Sequence, residues 1–207
     1  MINDELIQRI QCIYTALGSS IETDIKKLKP KVIQDSNKTV ILQDFSGGRK
    51  DSEIRNIANI LIFNVANLGS HLKKWSNEND KDKSKVDATF KNSKSIRIIK
   101  DLSNNERHGY DPTKKGNSGL APRLNGISSI MQMTTKPTKG SFVAYTFNRQ
   151  GEQKILGNGS YKVIITGEIL DCSGNKIGDL YDTLLEAIKD WEKLLSGFGV
   201  DMTLPHS

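Results

Sequence analysis

Leu6, Ile10, Ile13, Leu17, Ile21 and Leu28, with Ile7, Tyr14 and Ile25 beside them, recur at the three-and-four spacing of one buried helix face. The chain therefore opens with an amphipathic helix, capped by Asn3 or Asp4 and stopped at Pro30. Thr39-Val40-Ile41-Leu42 is short and β-branched, which predicts a strand or an extended connector, and Ser46-Gly47-Gly48 turns the chain. Asp51 and Ser52 begin a second helix, in which Ile54, Ile57, Ala58, Leu61, Val65, Leu68, Leu72 and Trp75 keep heptad-like spacing for about six turns. A polar stripe of Asn64, Asn67 and His71 runs beside that apolar face, and amide and imidazole groups near a core need partners. A charged loop over 78–85 leads to a third helix over 86–107, with Phe90, Ile96, Ile99 and Leu102 on its apolar side. Gly109 and Asp111-Pro112 end it.

After a polar loop over 113–122 the pattern becomes extended. Runs at 127–135, 141–148, 152–156 and 160–171 are β-rich and separated by Gly, Pro and Asn turns, which predicts antiparallel hairpins. A turn at 172–175 precedes Lys176-Ile177, and Asp179 or Asp182 caps a last helix built on Leu184, Leu185, Ile188, Trp191, Leu195 and Phe198. The expected fold class is α+β: a four-helix bundle with an antiparallel β-hairpin sheet inserted between helices three and four. One domain would span 1–207, with a helical core at 1–110 and 179–200 and a β insertion at 122–178.

Composition adds less. Hydrophobic content of 36% and charged content of 26% describe an ordinary globular chain, and a net charge of +6 permits a polyanionic partner without demanding one. The charge is concentrated around residues 101–110. Seven Lys or Arg face four acids over 77–100, and five face one acid over 109–140. Solvated, lysine-rich loops are the plainer account of the same charge. Two cysteines, Cys12 and Cys172, suggest neither a disulfide framework nor a metal motif. No apolar run approaches the ~20 residues a membrane span needs, and no basic n-region with an apolar run follows Met1, so a cytoplasmic protein is expected.

The densest candidate chemistry lies at the end of the third helix. Arg97, Asp101, Asn104 and His108 fall on one helical stripe with Asn105 beside them. In a catalytic reading His108 is the general acid or base, because imidazole titrates near neutrality. Arg97 or Arg107 holds a phosphate, Asn104 or Asn105 orients the imidazole or binds a ribose hydroxyl, and Asp101 fixes the tautomer. Lys114, Lys115, Tyr110 and His71 are the candidate binding residues, with Tyr110 able to stack a base. In the structural reading Asp101, Asn105 and His108 bond to Asn64, Asn67 and His71 and fix helix register. A metal held by His71, His108 and Asp101 is disfavoured, since an antiparallel hairpin puts His71 near the start of the third helix; no cofactor is expected. Phosphate-binding loops, dinucleotide fingerprints, zincin motifs and nucleophile elbows are absent from the sequence.

His71-Leu72-Lys73-Lys74-Trp75, paired with Asn105-Glu106-Arg107-His108 at the next helix end, resembles a pattern in bacterial and phage proteins with a helical domain like the HEPN superfamily. The resemblance covers roughly residues 54–110. It implies a helical bundle that dimerises and acts on or binds RNA, in the fullest form as a metal-independent endoribonuclease of a phage or antiviral defence system using His108. The 2′-hydroxyl would then be the internal nucleophile. Lys74 stands where the pattern has Asp, and Ser103 where the superfamily's motif has Arg. Those departures leave two alternatives: RNA binding without cleavage, or a non-catalytic structural or protein-interaction module with a buried Asn/His network.

Overall fold

The computed structural model describes residues 2–18, 28–35 and 38–200. Along the chain run α1 (Ile2–Gly18), β1 (Lys31–Asp35), β2 (Lys38–Leu42), α2 (Asp51–Glu78), α3 (Ser84–Asn92), α4 (Lys94–His108), β3 (Arg123–Thr134), β4 (Val143–Phe147), β5 (Gln153–Gly157), β6 (Ser160–Leu170), β7 (Lys176–Asp179) and α5 (Leu180–Gly197). The expected stripe on α1 buries Leu6, Ile10, Ile13 and Leu17. Ile21 and Ile25 lie outside the described residues, and Leu28 and Pro30 fall in the irregular connection before β1. Helix α2 starts where Glu53 reaches back to accept the backbone N–H of Lys50 at 2.7 Å. It buries Ile54, Ala58, Leu61, Ile62, Val65, Leu68, Leu72 and Trp75 along its length.

Two features overturn the expected four-helix bundle with an inserted sheet. The single helix read over 86–107 is two helices, because Ser93 leaves the helical region (φ −83°, ψ 116°) and its hydroxyl accepts the N–H of Ile96 at 3.1 Å. An N-cap ends one helix and starts the next, and it falls in the polar run Lys91-Asn92-Ser93-Lys94-Ser95 between Phe90 and Ile96. The strands, moreover, form three small antiparallel sheets: β1 with β2 between α1 and α2, then β3-β6-β7 and β4 with β5 after α4. Strand β1 escaped the sequence reading because Val32-Ile33 is too short a run to separate from a connector. Nor is the larger sheet an appendage. Val163, Ile164 and Ile165 are all buried, so consecutive residues of β6 are covered on both faces and join the same apolar cluster as the helices.

Helix α5 closes the core with Leu184, Ile188, Trp191 and Leu195. It also meets α1 through a polar contact, the Tyr14 hydroxyl donating to Glu192 Oε2 at 2.9 Å. Burial first, then that bond and the carboxylate's charge, push the Tyr14 phenol above the usual tyrosine value. A proton held more tightly in the folded than in the unfolded chain stabilises fully below the ordinary tyrosine pKa of about 10, and that stabilisation is lost as pH rises toward the raised value. The wild-type melting temperature is therefore expected to fall more steeply than that of Tyr14→Phe as pH passes about 10. Equal slopes in thermal melts of the two proteins would contradict this. No helix among the described residues is long and apolar enough to cross a membrane.

Candidate functional site

Helix α4 divides its residues between two sides. Ile96, Ile99, Leu102 and Ser103 face the core, while Asn104, Asn105 and His108 turn toward an open cleft of about 670 Å³ at the helix end. Gly109 stops the helix with φ 85°, a conformation that costs a residue with a Cβ. The chain then loops over the helix end, and Tyr110, Asp111, Lys114, Gly116, Asn117 and Ala121 supply the other wall.

Two side chains of α4 hold this loop. Asp101, 3% exposed, accepts the backbone N–H of Asn117 at 2.8 Å, the Asn117 side-chain amide at 2.6 Å and the backbone N–H of Ser118 at 2.7 Å. A carboxylate that accepts three donors can stay buried without a cationic partner. Asn105 donates to the carbonyl of Pro122 at 2.8 Å and fixes the loop's exit. Gly116 makes the close approach possible, since a Cβ there would lie 2.6 Å from the Asp101 carboxylate. Asp101 and Asn105 are thus occupied in building the cleft wall, and neither is bonded to His108.

The remaining candidates separate clearly. His108 and Asn104 line the cleft, and neither side chain makes a hydrogen bond or ion pair among the described residues. Tyr110 is 37% exposed, with the Arg123 guanidinium 5.9 Å from its ring centroid. Lys114 lines the cleft and pairs with Asp111 at 3.6 Å. Bonds from the Thr113 hydroxyl and backbone N–H hold Asp111 below the usual carboxylate range. Lys115 is an exposed residue of the same loop, and its carbonyl accepts the N–H of Ala121 at 3.0 Å. Arg97 reaches the loop at the carbonyl of Asn117, 3.5 Å away, while its Nε donates to the carbonyl of Ser93 at 3.3 Å. Arg107 leaves the group, lying 5.0 Å over the ring of Phe63.

His71 leaves it too. Asn59 donates to Glu106 at 3.0 Å and Arg55 pairs with the same carboxylate at 3.8 Å, so the first half of α2 lies beside the end of α4. His71 is three turns further along α2, roughly 18 Å at 1.5 Å per residue. There Lys73 pairs with Asp87 of α3. The expected Asn/His network does not form among the described residues: Asn64 and His108 are exposed, and Asp101 and Asn105 bond to the loop. Asn59 and Glu106 were not singled out from sequence, although their positions near facing helix ends carried the signal.

A second recess of about 680 Å³ lies between Pro30, Tyr145, Gly151, Gln153 and Tyr161. Its central polar group is already engaged, for Gln153 donates to the carbonyl of Leu28 at 2.7 Å and accepts from the Tyr145 hydroxyl. The α4 cleft instead presents an amide, an imidazole and a phenol to solvent. Among the described residues no three His, Cys, Asp or Glu side chains gather where one metal ion could be held. No protein-family model, no curated protein and no solved structure matches the chain, so the site is read from its own geometry.

Proposed function

We propose that this chain binds single-stranded RNA in the cleft at the end of α4, as a cytoplasmic protein. The observation that carries the reading is the convergence there of Asn104, His108, Tyr110 and Lys114, with Arg97 of α4, Lys115 of the loop and Arg123 at the start of β3 close by. Each group has a task in such binding. The cations attract the phosphates, Tyr110 offers a ring on which an unstacked base can lie, and the open amide of Asn104 can bond a base edge or a 2′-hydroxyl.

Binding is favoured over cleavage because His108 stands exposed with no side chain holding its tautomer, while the Asp101 carboxylate on the same helical stripe is committed to the loop. General acid–base catalysis needs an oriented imidazole within reach of the proton it moves. The test is a titration of a fluorescent single-stranded RNA, about four to sixteen nucleotides long, against wild type, Lys114→Glu and His108→Ala. Lys114→Glu is expected to weaken binding about tenfold or more and to flatten the salt dependence, as loss of a phosphate contact does. Metal-free cleavage abolished in His108→Ala would restore the ribonuclease reading. No binding by wild type at low salt would remove the RNA reading altogether.

A further inference from the structure

Strand β3 lies at the edge of its sheet: the order is β3-β6-β7, and β6 alone pairs with it. It is 12 residues long, and beyond its ladder to β6 no backbone hydrogen bond leaves residues 124–134 among the described residues. Among the described residues the N–H and C=O groups on its other side therefore have no backbone partner and form an open template. Native edges are normally blunted by lysine, proline, brevity or a bulge. Here Leu124-Asn125-Gly126-Ile127-Ser128-Ser129-Ile130-Met131-Gln132-Met133-Thr134 has no charge and no proline. The one irregularity, between Asn125 and Ser128, guards only the start, and the pairing is regular from Ser128 to Thr134. Ile130 is 42% and Met133 44% exposed, and three residues apart they stand on opposite faces.

We infer that this edge is the interface of a homodimer, in which β3 of a second copy adds antiparallel to β3 and makes one continuous sheet across a two-fold axis. The occupant is a second copy because the strand is complementary to itself. With the axis at Ile130, that residue meets its own equivalent on one face and Ser128 meets Gln132. On the other face Ser129 meets Met131 and Ile127 meets Met133. Every pair is uncharged, so no like charges face each other across the axis, and the isologous contact closes after two copies instead of growing into a filament. A helix-mediated dimer would leave this edge open; the β3 dimer covers it. The surface involved is small, at the low end of specific interfaces, so the association depends on concentration.

The test is sedimentation velocity of the full chain from micromolar to submillimolar concentration. Wild type is expected to move from the 23.0 kDa monomer to twice that mass. Ile130→Lys, which sets two ammonium groups against each other on the axis at an exposed position, is expected to remain monomeric at every concentration with an unchanged circular dichroism spectrum. The double variant Ser128→Lys with Gln132→Lys, which sets lysine against lysine on both sides of the axis, serves the same purpose should Ile130→Lys fail to fold. Wild type that stays monomeric overturns the inference, as does a dimer that both folded variants retain, since its interface would then lie elsewhere.

Discussion

Trp191→Ala is expected to cost about 3–5 kcal/mol of folding stability, the range for deleting a large aromatic from a packed core. The residue is 1% exposed, and its neighbours on the same helix face, Ile188 and Leu195, are fully buried. Its ring lies against Gly69 of α2, where a Cβ would come within 3.2 Å of Cζ2. That approach explains a glycine in the middle of a 28-residue helix, where it would otherwise cost about 1 kcal/mol relative to alanine. The indole N–H is buried without an acceptor among the described residues, so Trp191→Phe removes an unsatisfied donor along with some contact area. The phenylalanine variant should lose less than half as much as the alanine variant. Since small proteins unfold with about 5–15 kcal/mol in total, the alanine variant should lose a large share of its stability and unfold at a markedly lower urea concentration. Urea denaturation measures both, and a loss below about 1 kcal/mol in Trp191→Ala would contradict the packing described.

Asp101→Ala is expected to have the second large effect, and to separate stability from binding. It orphans two backbone N–H groups and one side-chain amide at a buried position, and bonds to a charged acceptor contribute about 1.5–3 kcal/mol each before the loop relaxes. Release of the loop lets water satisfy some of those donors, so a net loss of about 2–4 kcal/mol follows. Amide hydrogen exchange should rise sharply at Asn117 and Ser118 and little in α2 or α5. Gly116→Ala should reproduce the loop effect through collision with the same carboxylate, and RNA affinity should fall in both variants because the cleft loses a wall. Exchange unchanged at Asn117 in a folded Asp101→Ala protein would contradict the role assigned to the carboxylate.

The stripe that made α4 conspicuous was legible because helical periodicity fixes which side chains share a face. Asn104, Asn105 and His108 do line one cleft, and Ile96, Ile99 and Leu102 do face the core. What each polar group bonds to was not legible. Asp101 has its donors 16 and 17 residues away, in a loop whose path depends on the positive φ of Gly109 and Gly116. Local spacing offered His108 as the partner, two turns off along the helix, and the loop took the carboxylate instead. Ser103 shows the same limit in the resemblance. Where the superfamily's motif has Arg, this chain has a fully buried residue whose hydroxyl lacks a partner among the described residues. An arginine there would carry its guanidinium into the apolar core, at a cost of several kcal/mol. The helix boundary was partly legible: the apolar pattern lapses over Lys91-Asn92-Ser93-Lys94-Ser95, a gap of more than one turn with a good capping residue at its centre, and a single helix over 86–107 reads through it.

Ultraviolet cross-linking of bound single-stranded RNA, with the attached peptides identified by mass spectrometry, tests the binding site most directly. Cross-links are expected on the peptide containing Tyr110 and the loop lysines Lys114 and Lys115, and they should disappear in Asp101→Ala. Cross-links confined to the β4–β5 hairpin, or unaffected when the loop is released, would contradict the assignment of RNA to the α4 cleft.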